Sequence, residues 1–466
     1  MNTIINPLAV ELNEVLDSSP AGPFLSSLGR RLFFPKGIIA QSAEAKKTAR
    51  INATLGMAFK GGKPLALSAL QKQFPGLAPE EMVIYAPTAG IEAFRKAWKA
   101  SLVRKNPSLK DDDFTLPIVV PGVTAGISYI ADLFLDEGQA MLAADPSWDN
   151  YSLIFTERRG GILKGIPLFT GEPVQNFAED KNSAGGINSS AKPGLNLAAF
   201  EKALKTEAAV GLVRIILNFP QNPSGYTPNK TEADALVNMI KECAESGARV
   251  LVICDDAYFG LFYEEGIIKE SLFSRFASLH EKVLAVKIDG PTKEDYVWGL
   301  RTAFLSFGSK SLNENAAAAL EKKCMGAIRS SVSCSNTPAQ YVALKTWEDP
   351  ATVADKETFF NLLCSRYRTV KQFMAENPAP PSLEPFPFNS GYFMSFRCKT
   401  CNAPGGVAGG ASVAGGAEKL RLALLKKGIG TIALGDEYLR VTFAAIEEED
   451  IPFVYRTIYE TAAENL

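Results

Sequence analysis

The chain has 466 residues, and hydrophobic cores stop growing at roughly 250–300 residues, so two domains and a sizeable buried site are expected. A formal charge of −2, with 46% hydrophobic and 21% charged residues, gives no electrostatic reason to expect nucleic acid as a partner. Binding has to come from a shaped site.

At the N-terminus Glu11, Glu14 and Asp17 interrupt the apolar residues, and no basic start with a long apolar core precedes them. Neither a secretory nor an Arg-rich transit signal is read there, and no apolar run approaches the ~18–20 residues that span a bilayer. A cytoplasmic chain with no membrane partner is expected. From residue 116 onward one arrangement recurs: a short aliphatic run, a polar loop, then a helix-like segment. Residues 116–120, 140–144, 213–217, 250–254 and 283–288 read as buried strands of an α/β sheet. Ligands in such sheets bind beyond the carboxyl ends of the strands, which directs attention to the loops that follow.

After 116–120 comes Pro121-Gly122-Val123-Thr124, a junction whose free N–H groups would favour a phosphate, although Thr124 also suits an ordinary helix cap. Trp148 follows 140–144 and could lie against a heteroaromatic ring. Residues 171–197, rich in Gly, Asn and Ser, read as an insertion. Beyond 213–217, the turn-rich segment from Asn218 to Gly225 places an amide at a strand end, with ordinary turn chemistry as the plainer alternative. The 250–254 run ends in Asp255, Asp256, Ala257 and Tyr258. A carboxylate there needs a cation or donors, and a protonated pyridine nitrogen is one such cation; a helix cap is the plainer alternative. After 283–288 come Asp289, Gly290, Pro291, Thr292 and Lys293, with Arg301 further along. A lysine kept partly deprotonated can form a Schiff base with an aldehyde, and an arginine can pair bidentately with a phosphate. Residues 403–416 contain GGVAGGASVAGG, which lacks the Lys-Ser/Thr ending of a P-loop and reads as a surface loop. Helical spacing at 417–427 and a strand at 438–443 complete the chain, and no fixed-period repeat stands out.

Seven cysteines without a framework of spacings suit a reducing compartment. Cys398 and Cys401 have zinc-ligand spacing but no second pair, so no metal site is assigned. The single histidine, His280, sits in a polar helix-like stretch with no nucleophile motif around it, which makes histidine-based catalysis an unsuitable reading.

Taken in order, these segments resemble the class I aminotransferases of the pyridoxal-phosphate fold-type I superfamily, in the aspartate aminotransferase branch, from about Asn52 to Arg440. The resemblance implies an α/β fold: a large domain with a mostly parallel seven-stranded sheet flanked by helices, plus a smaller α+β domain. It implies an N-terminal arm over 1–30, a first part of the small domain over 31–63, a large cofactor-binding domain over 64–361 and the rest of the small domain over 362–466. Lys293 corresponds to the family's Schiff-base lysine and Arg301 to its phosphate-binding arginine. Asp255 matches the aspartate on the pyridinium, Tyr258 and Asn222 the two groups on the cofactor's phenolic oxygen, and Trp148 the ring-stacking tryptophan. Val123 and Thr124 fall where the family binds the phosphate. Tyr85 matches a tyrosine that reaches the neighbouring subunit's phosphate, which implies a homodimer with shared sites. Arg440 matches the arginine for the substrate α-carboxylate, Arg329 resembles the one donated across the dimer to a side-chain carboxylate, and Gly56 matches a glycine of the substrate pocket. Two departures stand out. Gly290 occupies the place of a phosphate-binding serine unless Thr292 compensates, and Tyr151 replaces the histidine that backs the aspartate.

The implied activity is transfer of an amino group between an L-amino acid, aspartate or glutamate, and a 2-oxo acid, with pyridoxal 5'-phosphate as cofactor. Alternatives on the same scaffold are an aromatic or broad-specificity aminotransferase and a C–S lyase or decarboxylase. A non-catalytic regulator that binds the cofactor would bring a DNA-binding module, for which residues 1–50 are too short and too weakly basic.

Overall fold

The computed structural model describes residues 5–34, 37–170, 194–399 and 416–466. Most of the 171–197 and 403–416 stretches, and Cys401, lie outside the described residues. The long helices include α1 (Pro7–Asp17), α2 (Ile38–Thr48), α3 (Glu92–Lys105), α4 (Val123–Phe134), α5 (Leu197–Ala208), α6 (Lys230–Glu245), α7 (Glu314–Arg329), α8 (Ala351–Glu376), α9 (Gly416–Lys426) and α10 (Ile451–Asn465), with a further helix over Thr337–Glu348.

Seven strands form the large sheet: β1 (Ile118–Val120), β2 (Ala140–Asp145), β3 (Ile162–Pro167), β4 (Leu212–Asn218), β5 (Arg249–Asp255), β6 (Val283–Asp289) and β7 (Ala303–Gly308), in the spatial order β1-β7-β6-β5-β4-β2-β3. The pairs among β2 to β6 are parallel, and β7 runs antiparallel to both β1 and β6. This is the mostly parallel seven-stranded sheet that the resemblance implies. The central strands read as unbroken apolar runs because both faces are covered. Along β5, Val250, Val252 and Cys254 join the core under α3, α5 and α6, while Leu251 and Ile253 join the one under α4 and α7.

A second sheet of β8 (Leu383–Pro385), β9 (Phe393–Cys398), β10 (Ile432–Leu434) and β11 (Tyr438–Thr442) has the order β8-β9-β11-β10 and packs on α9 and α10 around Phe396, Leu420, Val441 and Tyr455. The early chain joins this smaller α+β unit: Ile51 pairs in parallel with Ile429 and Asn52 with Gly430. One local expectation fails. His280 lies in a turn rather than a helix, because its Nδ1 accepts the Lys282 N–H at 3.0 Å, a side-chain bond that competes with helical pairing. Among the described residues, no helix is long and apolar enough to cross a membrane.

Candidate active site

A cleft that encloses about 770 Å³ with the solvent at its open mouth included lies at the carboxyl ends of the central strands, where an α/β sheet offers its loops to ligands. Each strand delivers a different group. β1 ends at Pro121 and Gly122, and α4 begins at Val123 with no acidic residue in its first turn and no side-chain cap, so the Val123 and Thr124 end of its dipole faces the cleft. Gly122 has φ 95°, and a Cβ there would stand 2.3 Å from Arg301 Nη2. The missing side chain thus lets the Arg301 guanidinium lie against the helix start. Among the described residues that guanidinium donates only one hydrogen bond, a long one of 3.5 Å to the Trp298 carbonyl. A helix N-terminus beside a guanidinium without a carboxylate partner suits a phosphate.

β2 leads to Trp148, whose ring meets Tyr151 edge-on at 5.6 Å. Tyr151 is buried and donates its hydroxyl to Asp255 Oδ2 at 2.5 Å. β4 ends in Asn218, which does two things at once: its Nδ2 donates to the Asp255 carbonyl at 2.7 Å, and its Oδ1 accepts the Asn222 N–H at 2.8 Å. Asn222 Oδ1 in turn accepts Arg440 Nη1 at 3.1 Å.

Asp255 at the end of β5 is 3% exposed. Burial pushes its carboxyl up to about 6, and the Tyr151 hydroxyl and the Ala257 N–H restrain the rise. Tyr258, three residues on, packs edge-on against Tyr392 and Phe393, and burial drives its hydroxyl well above its ordinary range. β6 passes through Gly290 into the helical turn Pro291–Glu294, which carries Lys293. The Lys293 amine stands 5.1 Å from the centre of the Tyr258 ring. Burial lowers its pKa to about 8, with help from the charges of Arg301 and Arg440 against the opposing pull of Asp255.

Arg440 comes from β11, on the other sheet, and is 2% exposed. Its Nη2 donates to the Thr54 carbonyl at 3.1 Å, its guanidinium lies 4.4 Å from the Phe393 ring centre, and its Nε is buried without an acceptor among the described residues. A buried donor of this kind is costly unless a ligand completes it.

The cleft therefore brings together Gly56, Val123, Thr124, Trp148, Asn222, Asp255, Tyr258, Lys293, Arg301 and Arg440. Two expected residues lie apart from it in this chain. Tyr85 is 86% exposed, and Arg329, the last residue of α7, is exposed with its Nη1 on Ser333 Oγ at 2.6 Å. The resemblance gives both to a neighbouring subunit's cleft. Ile38, Asn218 and Ala257 also line the space without having been singled out. Asn218 carried a usable signal, an amide closing a buried strand run; Ile38 belongs to a helix distant in sequence and carried none. Thr292 lines the cleft as well, with its hydroxyl 3.4 Å from the Thr302 carbonyl.

A mostly parallel seven-stranded sheet with a smaller α+β unit is the fold-type I architecture of pyridoxal-phosphate enzymes. The chain belongs to the aminotransferase class I and II family, whose profile matches residues 57–458. It is 24% identical over 180 residues to an aspartate aminotransferase of Sulfurisphaera tokodaii, a match that spans 39% of this chain and 38% of that enzyme. Among solved structures it resembles an aminotransferase of Anaerococcus prevotii, with a TM-score of 0.74, 23% identity, and coverage of 92% of this chain and 97% of the other. It also resembles the kynurenine aminotransferase of Pyrococcus horikoshii, with a TM-score of 0.73, 15% identity, and coverage of 96% and 99%. At these identities the structural likeness is one of fold.

Proposed function

We propose that the chain is a pyridoxal-phosphate-dependent aminotransferase that moves an amino group between an L-amino acid and a 2-oxo acid in two half-reactions. One observation carries the reading: a lysine amine of lowered basicity, a buried carboxylate and two arginines converge on one cleft from both sheets. The residues fit the cofactor. The Gly122 turn with Arg301 offers a phosphate seat, the buried Asp255 carboxylate suits a pyridinium, and Asn222 and Tyr258 supply polar groups between them. Bound there, pyridoxal phosphate would supply an aldehyde for the amino group and a ring that draws electron density from the substrate's Cα.

The chain's own groups divide the remaining tasks. With its pKa near 8, the Lys293 amine is partly unprotonated at neutral pH, so its Nζ can take the proton from the substrate's Cα and later return one. Asp255, ionised above about pH 6, holds positive charge at the floor of the cleft. Arg440 would grip the α-carboxylate, using the Nε that has no acceptor among the described residues, and so orient the bonds at Cα. Tyr258 keeps its hydroxyl neutral and available as a donor. Ile38 and Trp148 exclude water from the sides.

For the substrate, the reading is aspartate or glutamate, with Arg329 of a second copy of the chain receiving the side-chain carboxylate. The similarity to an aspartate aminotransferase supports this. A homodimer is part of the reading, supported by the near-complete exposure of Tyr85. The test has two stages. Incubation with pyridoxal phosphate and borohydride should label Lys293; a chain that stays colourless and unlabelled defeats the assignment. Aspartate with 2-oxoglutarate should then give oxaloacetate and glutamate, and Arg329→Ala should penalise aspartate far more than an aromatic donor. Equal penalties would favour an aromatic or broad-specificity enzyme, while pyruvate with ammonia, or CO2, would indicate a lyase or decarboxylase.

A further inference from the structure

Three charged side chains that do not line the cleft are buried together just behind it. Lys287 of β6 is 0% exposed, Asp256 4% and Asp289 2%. The Lys287 ammonium donates to Asp256 Oδ2 and lies 3.3 Å from Asp289 Oδ2. Two further donors complete the carboxylates: Ser271 Oγ reaches Asp256 Oδ2 at 2.5 Å, and Trp98 Nε1 of α3 reaches Asp289 Oδ1 at 3.0 Å.

Burying a charge costs several kcal/mol before pairing, and apolar replacements of a buried charged triad are often neutral or stabilising. Stability therefore does not explain the cluster, but its location suggests a role. Asp256 follows Asp255 directly, and its N–H donates to the Ile288 carbonyl at 2.9 Å, joining the end of β5 to β6. Asp289 opens the turn that carries Lys293. Beyond Lys293 the chain is clamped again, because Glu294 pairs with the Lys105 amine at 2.5 Å and Asp295 with Lys356 at 2.6 Å.

We propose that the Lys287–Asp256–Asp289 cluster is a positioning device, which ties the ends of β5 and β6 side by side and so fixes how the Lys293 amine stands relative to the Asp255 carboxylate. Its consequence for chemistry rests on the cofactor reading above. The cluster touches neither substrate nor cofactor and acts through the backbone it holds.

The decisive variant neutralises all three groups together, Lys287→Met with Asp256→Asn and Asp289→Asn, so that no lone charge is left buried. Its melting temperature is expected within several degrees of the wild type's, because the relief of three buried charges is offset by amide N–H groups that lose the lysine's place as a partner. Covalent labelling of Lys293 by pyridoxal phosphate and borohydride is expected to slow about tenfold or more, as displacement of a reacting group by a fraction of an ångström to an ångström would cause. Wild-type labelling rates in the folded variant would overturn the proposal. If the triple variant does not fold, Trp98→Phe combined with Ser271→Ala keeps the three charges and removes two of their donors, with some loss of the ring that stacks on Phe304 at 4.7 Å. This pair should slow labelling by about threefold and, because it leaves buried carboxylates without donors, lower the melting temperature by a few degrees while the chain stays folded; an unchanged rate in the folded pair would again overturn it. A wild-type chain that takes no label would sink the cofactor reading instead, so the two failures are distinguishable.

Discussion

At Lys293 the proton is opposed by burial first and then by the Arg301 and Arg440 charges, with Asp255 offsetting only part, so the pKa is about 8 against an ordinary 10.5. The folded chain therefore binds fewer protons than the unfolded one between those two values, and its stability rises with pH across that window. Below about pH 8 the folded state carries the whole penalty, on the order of 3 kcal/mol at most. Lys293→Met removes the ammonium, so it should raise the melting temperature of the cofactor-free chain by a few degrees at pH 7 and by much less at pH 10.5. Equal gains at the two pH values would contradict this electrostatic account. Asp255 is displaced the other way, up to about 6, and the Tyr151 hydroxyl limits the displacement. Tyr151→Phe keeps the ring packed on Trp148 and Phe155 but deletes that donor. The acid limb of kcat/KM should move upward by roughly one unit, and Tyr151→His should bring it back; a limb that stays in place would mean that Asp255 does not govern it. The segments that carry Lys293, Asp255 and Asn222 were legible in the sequence because each follows an apolar run, and the family resemblance picked out the residue in each. The Lys287 cluster was not, because a lysine inside such a run has no visible partner until distant segments fold against it.

The strands at 116–120, 140–144, 213–217, 250–254 and 283–288 announced themselves because burial on both faces demands aliphatic side chains throughout. β3 did not, because it is an edge strand paired only with β2, and its largely solvent-facing residues include Lys164, Gly165 and Pro167. β7 is wholly buried, but Ala303, Ser306 and Gly308 shorten its apolar signature. The same crowding around β7 explains the glycine at 290. A Cβ on Gly290 would lie 2.8 Å from the Ala303 Cα and 3.0 Å from the Thr302 carbonyl oxygen, so space, rather than backbone conformation, excludes a side chain. Gly290→Ser, which restores the family's hydroxyl, should therefore lower stability by about 1–3 kcal/mol and loosen the cofactor. Denaturant midpoints and a cofactor titration would measure both, and tighter binding at unchanged stability would show that β7 yields more easily than its packing suggests. Thr292, already lining the cleft, is the hydroxyl that the local packing permits.

Across the whole molecule, Lys293 and Arg440 belong to different sheets, so the cleft exists only while the two sheets keep their spacing. α2 lies between the cleft and the smaller sheet. Its first residue, Ile38, lines the cleft, while Gln41 both donates to the Ala433 carbonyl at 3.0 Å and accepts the Ala433 N–H at 2.8 Å. One turn on, Glu44 pairs with Arg421 of α9 at 2.9 Å. These contacts join residues nearly four hundred positions apart, which is why no local pattern disclosed them. Gln41→Leu would leave both backbone groups of Ala433 without their partner, a loss of about 1–3 kcal/mol, felt where α2 meets the strand beside Arg440. The substrate side of the cleft should loosen and the cofactor side should not. The expected result is a KM for the amino donor raised about three- to tenfold with an unchanged dissociation constant for pyridoxal phosphate. If the two constants rose together, α2 would be supporting the fold at large; if neither moved, the tie to Ala433 would not control the cleft at all.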